Sequence, residues 1–253
     1  MIPPLFLPDG MTEIVFAILV STSFIASLIT VAFGIGGGGI LLAVMATLVP
    51  PAALIPTHGI IQFGSNLGRA MIVFRQIFWP AIPAFAVGSV IGAAVGGSIV
   101  VNLPSAWVQI GVGCFVIWTV FMRPPQGLRN WPLLVGAMSS FLTMFFGATG
   151  LFVATFTKSH NLPRHSHVAT HATLMVVQHG VKSIVFGLLG FAFAQWWAFI
   201  IVMMISGFAG TVVGKSLLNR IDDRRFRLAL DTVLIVLSAR LIYGGLSALF
   251  ATG

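Results

Sequence analysis

The stretch FGIGGGGILLAVMATLVPP, from Phe33 to Pro51, decides the fold. Glycine frees the backbone from helical geometry, and inside a helix each one costs roughly 1 kcal/mol against alanine. Between the glycines and Pro50 runs ILLAVMATLV, ten apolar residues. A bilayer crossing takes about 20 residues at 1.5 Å each. The run is too short to cross alone, so it reads as half of a discontinuous or re-entrant element hinged at GIGGGG.

Composition sets the solvent for such an element. The chain has 253 residues, 58% of them hydrophobic and only 7% charged. Soluble domains carry roughly 25% charged residues, so lipid must cover most of this surface. Long continuous apolar runs disfavour a β-barrel, whose strands alternate over segments of about 10 residues. The fold class expected is an all-α polytopic membrane protein. The net charge of +8 comes from basic residues in short connections, the pattern of anchors at a cytoplasmic face, and no nucleic-acid partner is expected. Cys114 is the one cysteine; it excludes a disulfide and reads as a packing residue. The beginning MIPPLFLPDGMTE lacks the basic region and cleavage site of a signal peptide, so the first helix is expected to remain.

The glycine break has a second copy. Shifted by 113, Phe33-Gly34 meets Phe146-Gly147, Gly37 meets Gly150, Pro50 meets Pro163, Thr57-His58 meets Thr170-His171 and Arg69 meets Lys182. Beyond one length change the shift becomes 118, and Gly92, Gly96 and Ser98 meet Gly210, Gly214 and Ser216. These matches in order predict a duplication. Residues 1–122 form the first repeat, 123–131 a cytoplasmic linker and 132–253 the second repeat. Each half is a Gly-broken or re-entrant helix pair followed by three transmembrane helices. The expected helices are 12–33, 40–49, 53–75, 79–101 and 105–122, then 132–146, 150–160, 165–189, 195–218 and 226–250.

Basic residues occupy the connections at Arg69–Arg75, Arg123–Arg129, Lys158–Arg164 and Arg220–Arg227, and none lie at Pro50–Pro56, Asn102–Ser105 or Phe191–Gln195. The first set is cytoplasmic by the positive-inside rule. Both sets agree only if each broken pair enters and returns. Each half then makes five passes or part-passes, and the odd number inverts the second repeat, with both termini outside.

Two helices carry the chemistry. In THGIIQFGSNLGR, His58, Gln62, Asn66 and Arg69 follow at intervals of 4, 4 and 3, which is one face of a helix. THATLMVVQHGVK repeats the stripe with His171, Gln178, His179 and Lys182. A cation at the bilayer centre costs a few kcal/mol, so both stripes are expected to face inward, onto each other or onto a wet cavity. The competing account is interhelical polar contact with snorkelling cations, and Arg69, near its helix end, fits it well. At the breaks, Gly36, Gly37, Gly38 and Gly39, and in the second copy Thr149 and Gly150, would offer backbone and hydroxyl donors at a positive half-helix N-terminus. Thr143 and Thr155 are further hydroxyl candidates. GSVIGAAVGG, Gly88 to Gly97, is spaced for close helix packing instead.

The absences narrow the class. Asp9, Glu13, Asp222 and Asp223 read as terminal or loop residues, and Asp231 is placed to pair with Arg227 one turn earlier. A cation pathway needs buried carboxylates, so the expected substrate is a small anion. The histidines lack acidic or cysteine partners, and no metal site and no cofactor is expected. No GxSxG, HExxH or P-loop is present, and the chain is not read as an enzyme.

These features together resemble the sulfite exporter TauE/SafE family, which includes permeases of the 4-toluene sulfonate uptake type. The resemblance rests on the Gly-rich break FGIGGGGILLAVMATLVPP, the Pro-bounded short segment, the TH-type helix and a weaker second copy, FGATGLFVATFTKSHNLP, with only two glycines. It implies a multi-pass transporter of the inner membrane that exports small sulfur-containing oxyanions such as sulfite or organosulfonates. An anion channel and a non-transporting scaffold subunit are the alternatives. Alternating access, an option of proton coupling through histidine, and room for a homodimer complete the expectation.

Overall fold

The computed structural model describes residues 3–33, 36–100, 104–121, 130–147, 149–217 and 223–251. Among them there are ten α-helices and no strand: α1 Glu13–Phe33, α2 Gly37–Leu48, α3 Pro51–Ile72, α4 Ile82–Val100, α5 Ser105–Phe121, α6 Pro132–Phe146, α7 Gly150–Ser159, α8 Arg164–Leu188, α9 Trp197–Leu217 and α10 Asp223–Ala251. The chain is therefore the all-helical protein its composition requires. Most of the expected linker, residues 123–129 with its basic cluster, lies outside the described residues, as do Met122, Gly34, Ile35 and the side chains of Lys215, Arg227 and Asp231.

Helix ends follow local chemistry. Pro51 opens α3 and Pro132 opens α6, where a missing N–H removes no helical bond. The two breaks each turn on a left-handed glycine, Gly36 at φ 108° before α2 and Gly147 at φ 75° after α6. Helix α2 was expected to begin at residue 40, but it begins at Gly37, and three of the four glycines are helical. A Cβ at Gly37 would overlap the Ala26 carbonyl of α1. Gly37, and Gly38 against Gln62, therefore admit a neighbour rather than make the turn.

Helix α3 also stops earlier than expected, at Ile72. Two 3-10 turns, Phe74–Gln76 and Trp79–Ala81, then lead into α4. Three stretches, Glu13–Val31, Trp79–Val100 and Trp197–Gly214, are long and apolar enough to cross a membrane by length and composition. α3 and α8 have the length, but their polar stripes lower their hydropathy.

Packing is pairwise: α1 lies on α9, α4 on α6, α3 on α8 and α5 on α10. A Cβ at Gly88 or Gly92 would overlap the carbonyl of Leu133 or Ala137, and one at Gly96 would lie 3.1 Å from that of Phe141. The α9–α1 seam shows the same order. Ser206 Oγ donates to Val20 O at 2.7 Å, a Cβ at Gly210 would overlap Phe24 O, and one at Gly214 would lie 2.9 Å from Leu28 O. Each α9 residue is its α4 counterpart moved by 118, and each α1 residue its α6 counterpart moved by 113. Both seams run parallel. The α3–α8 and α5–α10 seams run antiparallel: Gly59 faces Lys182 while Phe63 faces Gly180, and Gly113 faces Ser238 while Gly245 faces Ala106.

The short helices sit at the centre. Leu41, Leu42, Ala43 and Met45 of α2 are buried, as are Val153, Ala154 and Phe156 of α7. A half-helix has backbone ends that lipid cannot satisfy, and enclosure by protein removes that penalty. The outer helices turn Ile14, Ile18, Val87, Val90, Ile91, Ile201 and Ile205 outward, an apolar face suited to acyl chains. Cys114 is exposed on α5 rather than packed inside, because the outward face of that helix is as apolar as its inward one.

Candidate functional site

Both polar stripes point inward. His58, Asn66, Arg69, Thr149, His171, Gln178, His179 and Lys182 are all buried, with Lys182 at 0% exposure and Arg69 at 6%. Gln62 is half-buried. The stripes meet along the antiparallel α3–α8 seam. Lys182 lies against Gly59, where a Cβ would sit 2.5 Å from its Cε, and the His58 and His179 rings meet edge to face at 6.0 Å.

On α3 the stripe is tied to the start of α2. His58 Nε2 donates to Gly38 O at 3.1 Å, and a Cβ at Gly38 would overlap Gln62 Nε2. Further along, Asn66 Nδ2 donates to Gln62 O at 2.8 Å and Arg69 Nη1 donates to Asn66 Oδ1 at 3.1 Å. Asn66 thus draws the guanidinium back along its own helix. At the N-terminus of α2, Gly39 N and Ile40 N both bond to Gly36 O, at 3.1 and 3.2 Å. The unclosed donors of that turn are those of the residues before Gly39.

On α8 the stripe is tied to the start of α7. His171 Nε2 donates to Gly150 O at 3.0 Å. Gln178 Nε2 donates to Thr149 Oγ1 at 2.6 Å, Ser139 Oγ donates to Gln178 Oε1 at 2.8 Å, and Thr149 Oγ1 donates to Ser139 O at 3.2 Å. The Thr149 hydroxyl is therefore engaged both as donor and as acceptor. Lys182 Nζ donates to Thr143 Oγ1 at 3.5 Å, and Thr143 donates in turn to Gly147 O at 2.8 Å. The two histidines hold their short helices alike: each ring nitrogen reaches a carbonyl in the first turn.

Several polar atoms are buried without a partner among the described residues: Arg69 Nε, His58 Nδ1, His179 Nδ1 and Ser140 Oγ. Neither Arg69 nor Lys182 has an ion-pair partner there. Ser139, Ser140 and Thr143 were not singled out as a group by sequence reasoning. Their spacing of one and four residues on the apolar α6 was the available signal. Among the described residues no group of His, Cys, Asp or Glu could hold a metal ion. A groove of about 500 Å³ opens beside the seam, lined by Ile60, Phe63, Ile184, Trp197 and Ile200, with Ser183 at its edge. Its apolar walls offer nothing to an anion.

The model of one protein family, Sulfite exporter TauE/SafE, matches residues 19–241. The chain belongs to the TauE/SafE family. TauE/SafE proteins are membrane transporters rather than enzymes, and membership assigns this one to the transport of sulfur compounds across a membrane. No curated protein and no solved structure matches the chain. Both polar stripes and both glycine breaks fall inside the TauE/SafE match.

Proposed function

We propose that this TauE/SafE protein is a secondary transporter of the inner membrane that exports a small sulfur-containing oxyanion, sulfite or an organosulfonate, by alternating access. The reading is carried by two wholly inward cations, Lys182 and Arg69, that hydrogen-bond to a hydroxyl and an amide and to no carboxylate among the described residues. A buried charge left without a counter-ion is costly, and an oxyanion supplies the missing charge. The helix starts at Gly36–Gly39 and at Thr149–Gly150 add positive ends. Gln62, Asn66 and Gln178 are placed to orient the ligand beside His58, His171, His179, Lys182 and Arg69. Histidines along the path give the carrier a means of taking a proton with its anion.

The mechanism rests on inverted repeats. Support comes from the matched seams: the α4–α6 contacts reappear as α9–α1 contacts at the two sequence offsets, and α3–α8 and α5–α10 cross as antiparallel counterparts. One repeat rocking against the other would open the seam alternately to each side.

The test is counterflow in liposomes. Protein reconstituted with unlabelled sulfite inside should accumulate labelled sulfite transiently from outside. Steady current with no counterflow would establish a channel, and no flux of sulfite or sulfonates would establish a scaffold.

A further inference from the structure

We infer that the seam between α3 and α8 holds two anion stations rather than one central site, the first at Lys182 with His58 and the second at Arg69 with His171. An anion passes from one to the other during transport. The inference rests on the anion-carrier reading and specifies where in the protein the anion stops.

The partition is written in the contacts. Lys182 packs against Gly59, next to His58 in the chain, and the His58 and His179 rings meet at 6.0 Å. Further along the antiparallel seam Arg69 lies within electrostatic reach of His171, and His171 reaches His179 between them. Each station joins a cation on one long helix to a histidine on the other, and that histidine is fastened to the first turn of a short helix, at Gly38 O or Gly150 O. The sequence offset that carries Arg69 onto Lys182 also carries His58 onto His171. The stations are therefore counterparts, each built from both halves of the chain.

They are too far apart for one small oxyanion. Lys182 packs against Gly59, and the Arg69 guanidinium is held by Asn66. Seven residues along α3 is about 10 Å at 1.5 Å per residue, about twice the width of a sulfite ion. Because α3 and α8 run antiparallel and both cations fall late in their helices, the stations lie on opposite sides of the middle of the seam. Arg69 is near the basic end at Arg75, and Lys182 is toward the end that carries no charge at Phe191–Gln195.

Each station also retains unused capacity. At the second, Arg69 Nε is a buried donor with no partner. At the first, the ammonium's one hydrogen bond among the described residues reaches 3.5 Å, and His179 Nδ1, which can carry the ring proton, is unpartnered. Ser183 flanks the first station but donates to His179 O at 2.8 Å.

The deciding measurement is the number of labelled sulfite ions bound per chain, by equilibrium dialysis of the purified full-length protein at neutral pH. The wild type should bind two, and R69Q and K182Q one each. The dissociation constant of the remaining station should rise by no more than about 20-fold, the attraction lost when a cation about 10 Å away is removed. The double variant should bind none. One ion per wild-type chain, abolished by either substitution, overturns the two stations and leaves the carrier reading standing. Two ions unaffected by both substitutions, or none in the wild type, overturns the carrier reading and the stations with it. If R69Q does not fold, Asn66→Ala serves instead: it releases the guanidinium and must weaken one of two bound ions only, and equal weakening of both refutes the inference.

Discussion

Adjacent glycines at the start of α2 should fail in different ways when given a side chain. At Gly37 a methyl group meets the Ala26 carbonyl and the Thr30 hydroxyl. That hydroxyl is itself fixed to Ala26 O at 2.8 Å. Nothing there yields, so α1 and α2 must separate. Overpacking of this kind costs about 1–3 kcal/mol, and the helical preference of alanine returns at most about 1 kcal/mol. The overlap is with backbone, so the upper end of that cost applies, and G37A should lose about 2 kcal/mol, which for a chain of this size is roughly 4–8 °C in Tm. At Gly38 the obstacle is the amide end of Gln62, which can swing aside. G38A should keep or raise its Tm. It turns Gln62 away from the helix start, and loss of one hydrogen bond to a charged ligand, about 1.5 kcal/mol, weakens sulfite about tenfold. Thermal unfolding in detergent and sulfite uptake by liposomes measure the two effects. G37A as stable as the wild type, or G38A stable with unchanged uptake, would refute the reasoning.

Other expectations can be checked beside it. Lys182→Met should reduce sulfite affinity by about 10- to 150-fold, the loss of 1.5–3 kcal/mol of charge-assisted bonding, without lowering Tm, because it removes an unpaired buried charge; Lys158→Met, at an exposed position, should change neither. Gly92→Ala and Gly210→Ala drive a methyl into the Ala137 and Phe24 carbonyls, and both should lower stability by about 1–3 kcal/mol in chemical denaturation; a marked difference between them would count against equivalent seams. Cys114, on the exposed face of α5, should react in membranes with an apolar maleimide and resist a charged one. A reporter fused at the C-terminus should be active on the outer side of the membrane, and fluorescence of a cytoplasmic reporter there would reverse the proposed topology.

Much of the fold was legible because its signals are local. Pro51, Pro132 and the glycine breaks set helix ends within the chain itself, and the inward burial of His58, Arg69, His171 and Lys182 follows from one helical face in an apolar chain. Two things were not legible. Four consecutive glycines read as one hinge, yet Gly36 makes the turn while Gly37 and Gly38 make room for α1 and Gln62. Sequence spacing cannot separate a glycine required by its φ from one required by a neighbour distant in the chain. The bracket of Ser139, Thr149 and Gln178 was also only half seen. Ser139 is an ordinary small polar residue in an apolar helix, and its role exists only once α6 and α8 are packed.

The antiparallel seam also has an electrostatic consequence. Two helices carrying matched cationic stripes avoid lipid here by facing each other, since a cation facing hydrocarbon costs about 2.5–3.5 kcal/mol even on the lenient insertion scales. Facing each other brings like charges into one seam. In a parallel crossing Arg69 and Lys182 would stand level, and at about 4 Å with an effective dielectric of 20 they would repel by about 4 kcal/mol. Antiparallel helices with each cation late in its sequence carry them apart instead. At about 10 Å the same expression gives about 1.7 kcal/mol, which an anion at either end removes. The direction of the second stripe relative to the first thus separates the cations and creates two places for a negative solute. A seam with the helices parallel would have neither property.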